Sequence, residues 1–265
     1  MRYAKRGRLR FASARDIARA FERALRAAGV PMAYSQGFSP HPKISWIGAA
    51  PTGTASEAEF VEIGLVRQVD AEALRSALNA ALPAGLEVIA AVPAGPGSLA
   101  ERIDASRWRI ALPGVEIVEL RAAVAALRSA DTVEVERLTK SGRRCVDVRP
   151  AIVSIEVSVQ VVAPSIGSTG DVTAPTGVDM PSRGSQCGIL TAVVRQLTPT
   201  VRPDDVLSAL RVVAALTPPV PVQATRTAQG RLDDTGRLVD PLALDGPAVS
   251  ASVVGEPERS QHGAE

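Results

Sequence analysis

The chain has 265 residues, of which 46% are hydrophobic and 3% aromatic, so it can bury a sizeable core made mainly of small and β-branched side chains. The two cysteines, Cys145 and Cys187, are too few and too far apart to hold a zinc ribbon or an iron–sulfur cluster without another chain, and they fit a reducing cytoplasm. No apolar run approaches the ~20 residues of a membrane span, and none follows the basic N-terminus as in a signal peptide. We therefore expect a cytoplasmic protein without a membrane partner. The net charge is only +2, but residues 1–43 hold ten Lys or Arg and two acids, so we expect the N-terminal part to attract anions.

The first predicted element is a strand over residues 2–11, RYAKRGRLRF, in which alternate side chains point to opposite faces. One face holds Tyr3, Lys5, Gly7, Leu9 and Phe11, and the other holds Arg2, Arg6, Arg8 and Arg10. If helices cover the apolar face, the four arginines lie on an open sheet face, where ferredoxin-like RNA binders place their substrate. The paired aromatic platform of a typical RNA-recognition motif is not evident in this strand.

A helix is predicted next, because Ser13 and Asp16 have the spacing of an N-terminal capping pair and apolar residues recur at helical spacing until Gly29 and Pro31. Its polar side carries four arginines spaced by four, four and three residues, namely Arg15, Arg19, Arg23 and Arg26. Like charges at this spacing repel by a few tenths of a kcal/mol per pair, so an anionic partner would stabilise them. Arginine supplies planar contacts to phosphate, which favours nucleic acid. The alternative is an ordinary solvated face, since arginine is also a good helix former.

The segment YSQGFSPHPKISWIGAAPTG, residues 34–53, predicts a stiff loop. Pro40 and Pro42 hold their neighbours extended and present His41 and Lys43 at fixed angles. Glycines allow sharp turns or close chain approach at Gly37, Gly48 and Gly53. His41 and Lys43 are candidates for contacts with RNA or another anion, and a structural hydrogen bond or plain exposure is the alternative for His41.

We assign no catalytic residue and no metal ligand. His41 is the only candidate acid or base, because it alone titrates near neutrality in the part expected to be ordered, and cleavage of RNA without metal needs a second group. Tyr3, Tyr34 and Lys43 are imperfect second groups.

The order of predicted elements indicates an α+β fold of two tandem ferredoxin-like βαββαβ units, the second one elaborated. In the first unit, strands are predicted at 43–48, 59–66 and 86–92, with a helix that Asp70 caps and that ends at Leu82. In the second, strands are predicted at 107–112, 132–138, 145–162 with a break at Pro150, 188–197 and 220–227, and helices at 115–129 and 203–216.

The predicted domains are residues 1–92 and 107–244, with a linker at 93–106. Residues 163–187 are rich in Gly, Ser, Thr and Pro without apolar periodicity, which predicts a flexible insertion in the second domain. The tail, residues 245–265, is predicted to be disordered, and His262 within it is an implausible catalyst.

Several segments resemble the radical-SAM-linked protein family, a bacterial domain of unknown function that is fused to, or encoded beside, radical SAM proteins. The resemblance extends from residue 1 to about residue 242 and is carried by RYAKRGRLRFAS, ARDIARAFERALRAAGVPMAYSQGFSPHPKIS, APTG, SEAEFVEI, DVRPAI, VRPDDVLSALR and TRTAQGRLDD. One position departs from the family pattern, because Ala14 follows Ser13 where the family usually has a histidine. A catalytic role shared by the family at that position is therefore not expected.

The resemblance implies an accessory protein of a radical SAM enzyme, often one with a cobalamin-binding domain. This chain lacks the CxxxCxxC motif, so the [4Fe–4S] cluster and the S-adenosylmethionine are expected on the partner. We therefore expect a non-catalytic protein that binds structured RNA, either tRNA or rRNA, beside a radical SAM protein. The alternatives are a metal-independent endoribonuclease that uses His41 and a protein-binding scaffold without RNA.

Overall fold

The structure is a computed structural model, which describes residues 1–139, 142–162 and 185–243. In these ranges the four α-helices are α1 (Ala14–Ala27), α2 (Ala71–Ala81), α3 (Ile117–Ser129) and α4 (Pro203–Ala214). The eleven strands described are β1 (Arg2–Lys5), β2 (Ile44–Ile47), β3 (Ala55–Ile63), β4 (Leu86–Ala90), β5 (Ala105–Pro113), β6 (Glu134–Thr139), β7 (Gly142–Asp147), β8 (Ile152–Val162), β9 (Ser185–Arg195), β10 (Gln223–Leu232) and β11 (Leu238–Val239). The predicted α+β class is confirmed.

Nine of the strands form one sheet, whose main path runs β4-β1-β3-β10-β5-β9-β8, with β2 added to β3 and β11 added to β10. All strand pairs are antiparallel except β3 with β10, which is the parallel pair that joins the two halves of the sheet. In each half, the four strands stand in the order fourth, first, third, second along the chain, as β4-β1-β3-β2 and β10-β5-β9-β8. The hairpin β6-β7, which lies between α3 and β8 in the chain, forms a separate two-stranded sheet.

Each half buries its own apolar cluster between helices and sheet. In the first half, Phe21 and Leu25 of α1 and Leu78 of α2 pack against the sheet residues Tyr3 and Val61. The rings of Tyr3 and Phe21 meet edge to face with centroids 4.8 Å apart. In the second half, the cluster joins α3 and α4 to the sheet and the β6-β7 hairpin. The helices of both halves therefore owe their placement to buried apolar faces.

The start of α1 has the predicted capping box. The Oγ of Ser13 accepts a hydrogen bond from the backbone N–H of Asp16 at 3.2 Å, and the Asp16 carboxylate accepts one from the backbone N–H of Ser13 at 3.3 Å. The Ser13 hydroxyl also donates to the Asp16 carboxylate at 2.7 Å, and this bond, with the smaller effect of the bond from the Ser13 backbone N–H, lowers the pKa of the Asp16 carboxyl. The helix ends before Gly29, whose φ of 62° is the left-handed conformation expected there.

The start of α2 gives a first testable prediction. Asp70 is the N-cap, and its Oδ1 accepts a hydrogen bond from the backbone N–H of Ala73 at 2.7 Å. Replacing Asp70 by alanine removes this bond, so we expect the free energy of unfolding to fall by about 1 kcal/mol, whereas Asp70→Asn should change it little. Urea unfolding followed by circular dichroism measures both. Equal losses in the two variants would contradict the capping role.

The predicted strand over residues 2–11 is wrong beyond Lys5. The backbone N–H of Arg6 still bonds to the carbonyl of Gly85 at 2.7 Å, in register with the pairing of β1 and β4. The chain then turns into a 3-10 helix, Gly7–Phe11, because Gly7 takes a left-handed φ of 55°. Arg8 and Arg10 therefore do not share a strand face with Arg2. Phe11, predicted on the covered face, is 58% exposed.

The sheet face that carries Arg2 is also not open as predicted. Phe60, the partner of Arg2 in register, packs with Leu99, Ile103 and Leu242 on the face opposite Val61. Leu99 and Ile103 belong to the segment predicted as a linker, which folds here as a 3-10 helix, Leu99–Arg102, and leads into β5. The domain boundaries themselves stay a prediction.

Further strand bounds differ from the predicted ones, among them that of β10, which is Gln223–Leu232 instead of 220–227. The strand predicted at 59–66 is β3, Ala55–Ile63, because Ala55 and Ser56 pair with β10 and Ser56 also pairs with Lys5 of β1. Of the predicted flexible insertion, residues 185–187 belong to β9 and Cys187 is buried, because they pair with β5 and β8. The rest of the insertion, 163–184, and the predicted tail, 245–265, lie outside the described residues.

Candidate functional site

The predicted row of arginines on α1 is present as an exposed face. Arg15, Arg19, Arg23 and Arg26 are all exposed, whereas Ile17, Phe21 and Leu25 on the other side are buried. No side chain among the described residues forms an ion pair with any of the four arginines. Asp16 is the acid whose carboxylate interacts electrostatically with Arg15 and Arg19. The row is thus a positive surface with little internal compensation.

The arginines before α1 divide into two kinds. Arg2 pairs with Asp240 at 2.5 Å, and Arg6 pairs with both Glu57 and Glu87, whose hydrogen bonds raise the pKa of its guanidinium. Arg8 is exposed, and Arg10 is half-buried, with its guanidinium 4.6 Å from the centroid of the Phe11 ring. The charge of Arg2 and Arg6 is already neutralised within the protein, but that of Arg8 and Arg10 is not paired with a described carboxylate.

The loop with His41 is a small, closed turn. The backbone N–H of Ser35 bonds to the His41 carbonyl at 2.8 Å, and the backbone N–H of His41 bonds to the Ser35 Oγ at 3.0 Å. Tyr34 and Pro42, which follow this pair on the side away from the tip of the loop, form an isolated bridge. His41 and Lys43 are both exposed. These cross-loop bonds support the stiffness that Pro40 and Pro42 predict.

His41 lines a shallow cavity of about 450 Å³ together with Lys43 and Glu62. No hydrogen bond joins its ring to another side chain in the described part of the chain. Glu62 is the carboxylate that the fold brings to the same cavity as His41. The structure places these groups together without setting them in the hydrogen-bonded geometry of an acid–base pair.

Exposed aromatic rings lie before and after α1 in the chain, and the sequence patterns did not predict them. Phe38 at the tip of the loop is fully exposed, Tyr34 is 55% exposed, and Phe11 precedes α1. Rings on which bases can stack are a usual part of surfaces that bind single-stranded nucleic acid. Alternation within the strand predicted at 2–11 gave no reason to expect Phe11 at the surface, and the loop has no periodicity from which exposure could be inferred.

Three glycines of the loop have positive φ angles, which favour glycine over other residues: 136° at Gly37, 55° at Gly48 and 90° at Gly53. Gly48 is also tightly packed, since a Cβ there would lie 3.0 Å from the Oε1 of Gln229. That Oε1 is buried and has no hydrogen-bond partner among the described residues, while the Nε2 of Gln229 donates to the Ala58 carbonyl. The loop of the first half thus touches β10 of the second.

A buried charged cluster beneath this loop was missed. Arg226 of β10 pairs with Glu59 of β3, and both are nearly inaccessible, with 4% and 2% exposure. The second Glu59 oxygen accepts the backbone N–H of Ala50 at 2.9 Å. Lys5 of β1 lies in the same cluster and donates weakly, at 3.4 Å, to the carbonyls of Ala50 and Pro51.

Burial changes the acidity of this cluster. It lowers the pKa of the Lys5 ammonium, partly offset by the negative charge of Glu59, and it raises the pKa of the Tyr3 hydroxyl, an effect that Glu59 adds to. Buried charges are costly unless they are paired and hydrogen-bonded, so a displacement of one member would leave the others without partners. The cluster therefore holds the APTG segment against the sheet and β3 against β10, where the two halves of the sheet meet. The sequence showed its members only as separate charges in strands.

One protein family matches residues 1–203, and its description is an uncharacterized protein conserved in bacteria, DUF2344. No curated protein matches the chain. The described helices include none long and apolar enough to cross a membrane. Within the same residues, no three His, Cys, Asp or Glu side chains come together as a metal site.

Proposed function

This chain belongs to the DUF2344 family, and we propose that it is a non-catalytic accessory protein that binds structured RNA, tRNA or rRNA, beside a radical SAM enzyme. The observation that carries the proposal is the row of exposed arginines on α1 without ion-pair partners among the described residues. Arg8 and Arg10 precede the helix in the chain and His41 and Lys43 follow it, and the proposal includes them as further contacts with the same RNA. Arg2 and Arg6 are left out of it, because carboxylates of the chain already hold them.

Two features make RNA a better fit to this surface than an acidic protein. Guanidinium groups contact phosphate oxygens bidentately and stack on bases. The exposed rings of Phe38 and Tyr34 lie in the loop that follows α1, where unpaired bases could stack on them. The surface thus combines the electrostatic and the stacking contributions that RNA loops and ends require.

The same proposal includes a tandem ferredoxin-like arrangement. The order fourth, first, third, second in both halves supports it, as does the antiparallel pairing within each half. The β6-β7 hairpin is then the elaboration of the second unit. In this arrangement RNA is expected on the helical side of the first unit, since Leu99, Ile103 and Leu242 cover the opposite face of its sheet.

The radical SAM partner enters through the resemblance of the quoted segments to the radical-SAM-linked family. The partner would supply the [4Fe–4S] cluster and S-adenosylmethionine, and in many cases cobalamin. The chain described here would hold the RNA that the partner modifies. Its own contribution would be binding and orientation, in which His41 and Lys43 would contact phosphate or base.

We expect the RNA affinity to depend steeply on salt. If the four arginines of α1 each contact one phosphate, the logarithm of the binding constant should fall with the logarithm of the salt concentration with a slope of about −3 to −4. Between 50 and 200 mM salt the affinity should then fall on the order of a hundredfold. Filter binding or fluorescence anisotropy with total tRNA and rRNA fragments measures this slope. Absence of binding at 50 mM salt would refute the proposal.

The remaining interpretations give other results with the same material. A radical SAM protein that still co-purifies with the chain after nuclease treatment, together with no RNA binding, would indicate a protein-binding scaffold. Cleavage of the RNA without metal that is lost in His41→Ala would indicate an endoribonuclease. Intact RNA in both the wild type and His41→Ala supports a binding role.

A further inference from the structure

A cavity of about 500 Å³ lies where the two halves of the sheet meet. Its walls come from the loop before β3, from β5, β9 and β10, and from the segment that leads into α4. Volumes of about 300–1,000 Å³ are typical of sites for small ligands. The cavity is separate from the arginine row on α1.

The charged residues that line this cavity are all arginines. Arg195 ends β9, Arg202 precedes α4, and Arg226 lies within β10. None of the described lining residues is an aspartate or glutamate. The hydroxyl groups of Thr52, Ser106 and Thr200 add three neutral donors. The lining therefore favours an anion with several oxygen atoms.

Arg226 is held in place before any ligand arrives. Its Nη2 donates to Glu59, its Nε lies 3.5 Å from the Oγ of Ser56, and its Cζ lies 5.4 Å from the centroid of the Trp108 ring. Its Nη1 donates to no acceptor among the described residues. A guanidinium that is 96% buried and fixed on two sides loses little side-chain entropy when it binds a ligand with the third nitrogen. Arg195 and Arg202 are exposed and can close on the same ligand from the rim.

We infer that this cavity binds a phosphate ester, with Arg226 at its base and Arg195 and Arg202 at its rim. Three guanidinium groups match the charge and the several oxygen atoms of a phosphate dianion. The Glu59 carboxylate compensates the charge of Arg226 within the protein, so Arg226 offers a fixed donor, and the exposed Arg195 and Arg202 supply the positive charge that an anion meets. The ester comes either from a free nucleotide or from the terminal phosphate of an RNA. This inference does not depend on the RNA-binding row of α1.

Calorimetric titration of the full chain with inorganic pyrophosphate at low salt tests the site. We expect binding, weakened about tenfold or more in Arg195→Gln and in Arg202→Gln, since each change removes a charge-assisted contact. Arg211→Gln is the matched control, because Arg211 is exposed on α4, the helix that Arg202 precedes, and does not line the cavity. This variant should bind as the wild type does. All three substitutions are of exposed side chains, so the fold is expected to be kept, and circular dichroism checks this.

The source of the phosphate is separated by three more ligands: AMP, a 5′-phosphorylated RNA trinucleotide and its 5′-hydroxyl form. Tighter binding of AMP assigns the site to a free nucleotide, and tighter binding of the phosphorylated trinucleotide assigns it to an RNA end. No pyrophosphate binding to the wild type, or equal affinities in Arg202→Gln and Arg211→Gln, would overturn the inference. Binding of longer 5′-hydroxyl RNA should be unchanged in Arg195→Gln and Arg202→Gln, so the two proposals can fail separately.

Discussion

Replacing Arg226 by methionine is expected to lower the free energy of unfolding by roughly 3–5 kcal/mol, the range for removing one partner of a buried ion pair. The substitution leaves the Glu59 carboxylate, which is 2% exposed, with the backbone N–H of Ala50 as its remaining hydrogen-bond donor. It also removes the contact of the guanidinium with the Trp108 ring. Lys5 cannot replace the lost pair easily, because burial already lowers the pKa of its ammonium.

Two further variants separate the charge from the packing. In the double variant Glu59→Gln/Arg226→Met, the uncompensated charge is gone and the amide can still face Ala50, so we expect most of the loss to be recovered. Arg2→Met breaks the partly exposed pair with Asp240 and should cost at most about 1 kcal/mol. Urea unfolding of the variants gives these differences. A double variant as unstable as Arg226→Met alone would show that packing of the guanidinium, and not the charge pair, stabilises the junction.

The features that the sequence predicted well are those that depend on residues only a few positions apart in the chain. The box of Ser13 and Asp16 and the cap at Asp70 are read from residues three positions apart, and the structure has both. The strand predicted over 2–11 failed because its alternation continues past Lys5 while the backbone does not. What ends β1 is the left-handed conformation of Gly7, which the alternation of side chains does not reveal.

The buried cluster could not be predicted from the chain in the same way. Glu59 and Arg226 are 167 residues apart, and they meet only because β3 and β10 pair across the junction of the two halves. A single charge within a strand gives no local sign of burial, since exposed strands also carry charges on alternate positions. The cavity with Arg195 and Arg202 has the same origin, whereas the row on α1 was predictable because helical spacing alone defines it.

Reversing Arg15, Arg19 and Arg23 to glutamate is expected to weaken RNA binding on the order of a thousandfold at low salt, about tenfold for each lost phosphate contact. The salt slope should fall by about one for each arginine. The helix should persist, because its buried face of Ile17, Phe21 and Leu25 is untouched. Arg15→Glu places an acid in the first turn, where it interacts favourably with the helix N-terminus, and Arg26 is left unchanged because a cation suits the last turn.

The matched control is a second triple reversal, Arg121→Glu/Arg144→Glu/Arg211→Glu. These three arginines are exposed and have no ion-pair partner among the described residues, and their reversal changes the net charge of the chain by the same −6. Any loss of affinity that arises from overall charge alone will therefore appear equally in both variants. A hundredfold or larger difference between the two, measured by anisotropy with the same RNA after circular dichroism has confirmed the fold, places the binding surface on α1. Equal losses would refute the α1 surface, since long-range repulsion would then account for the whole effect.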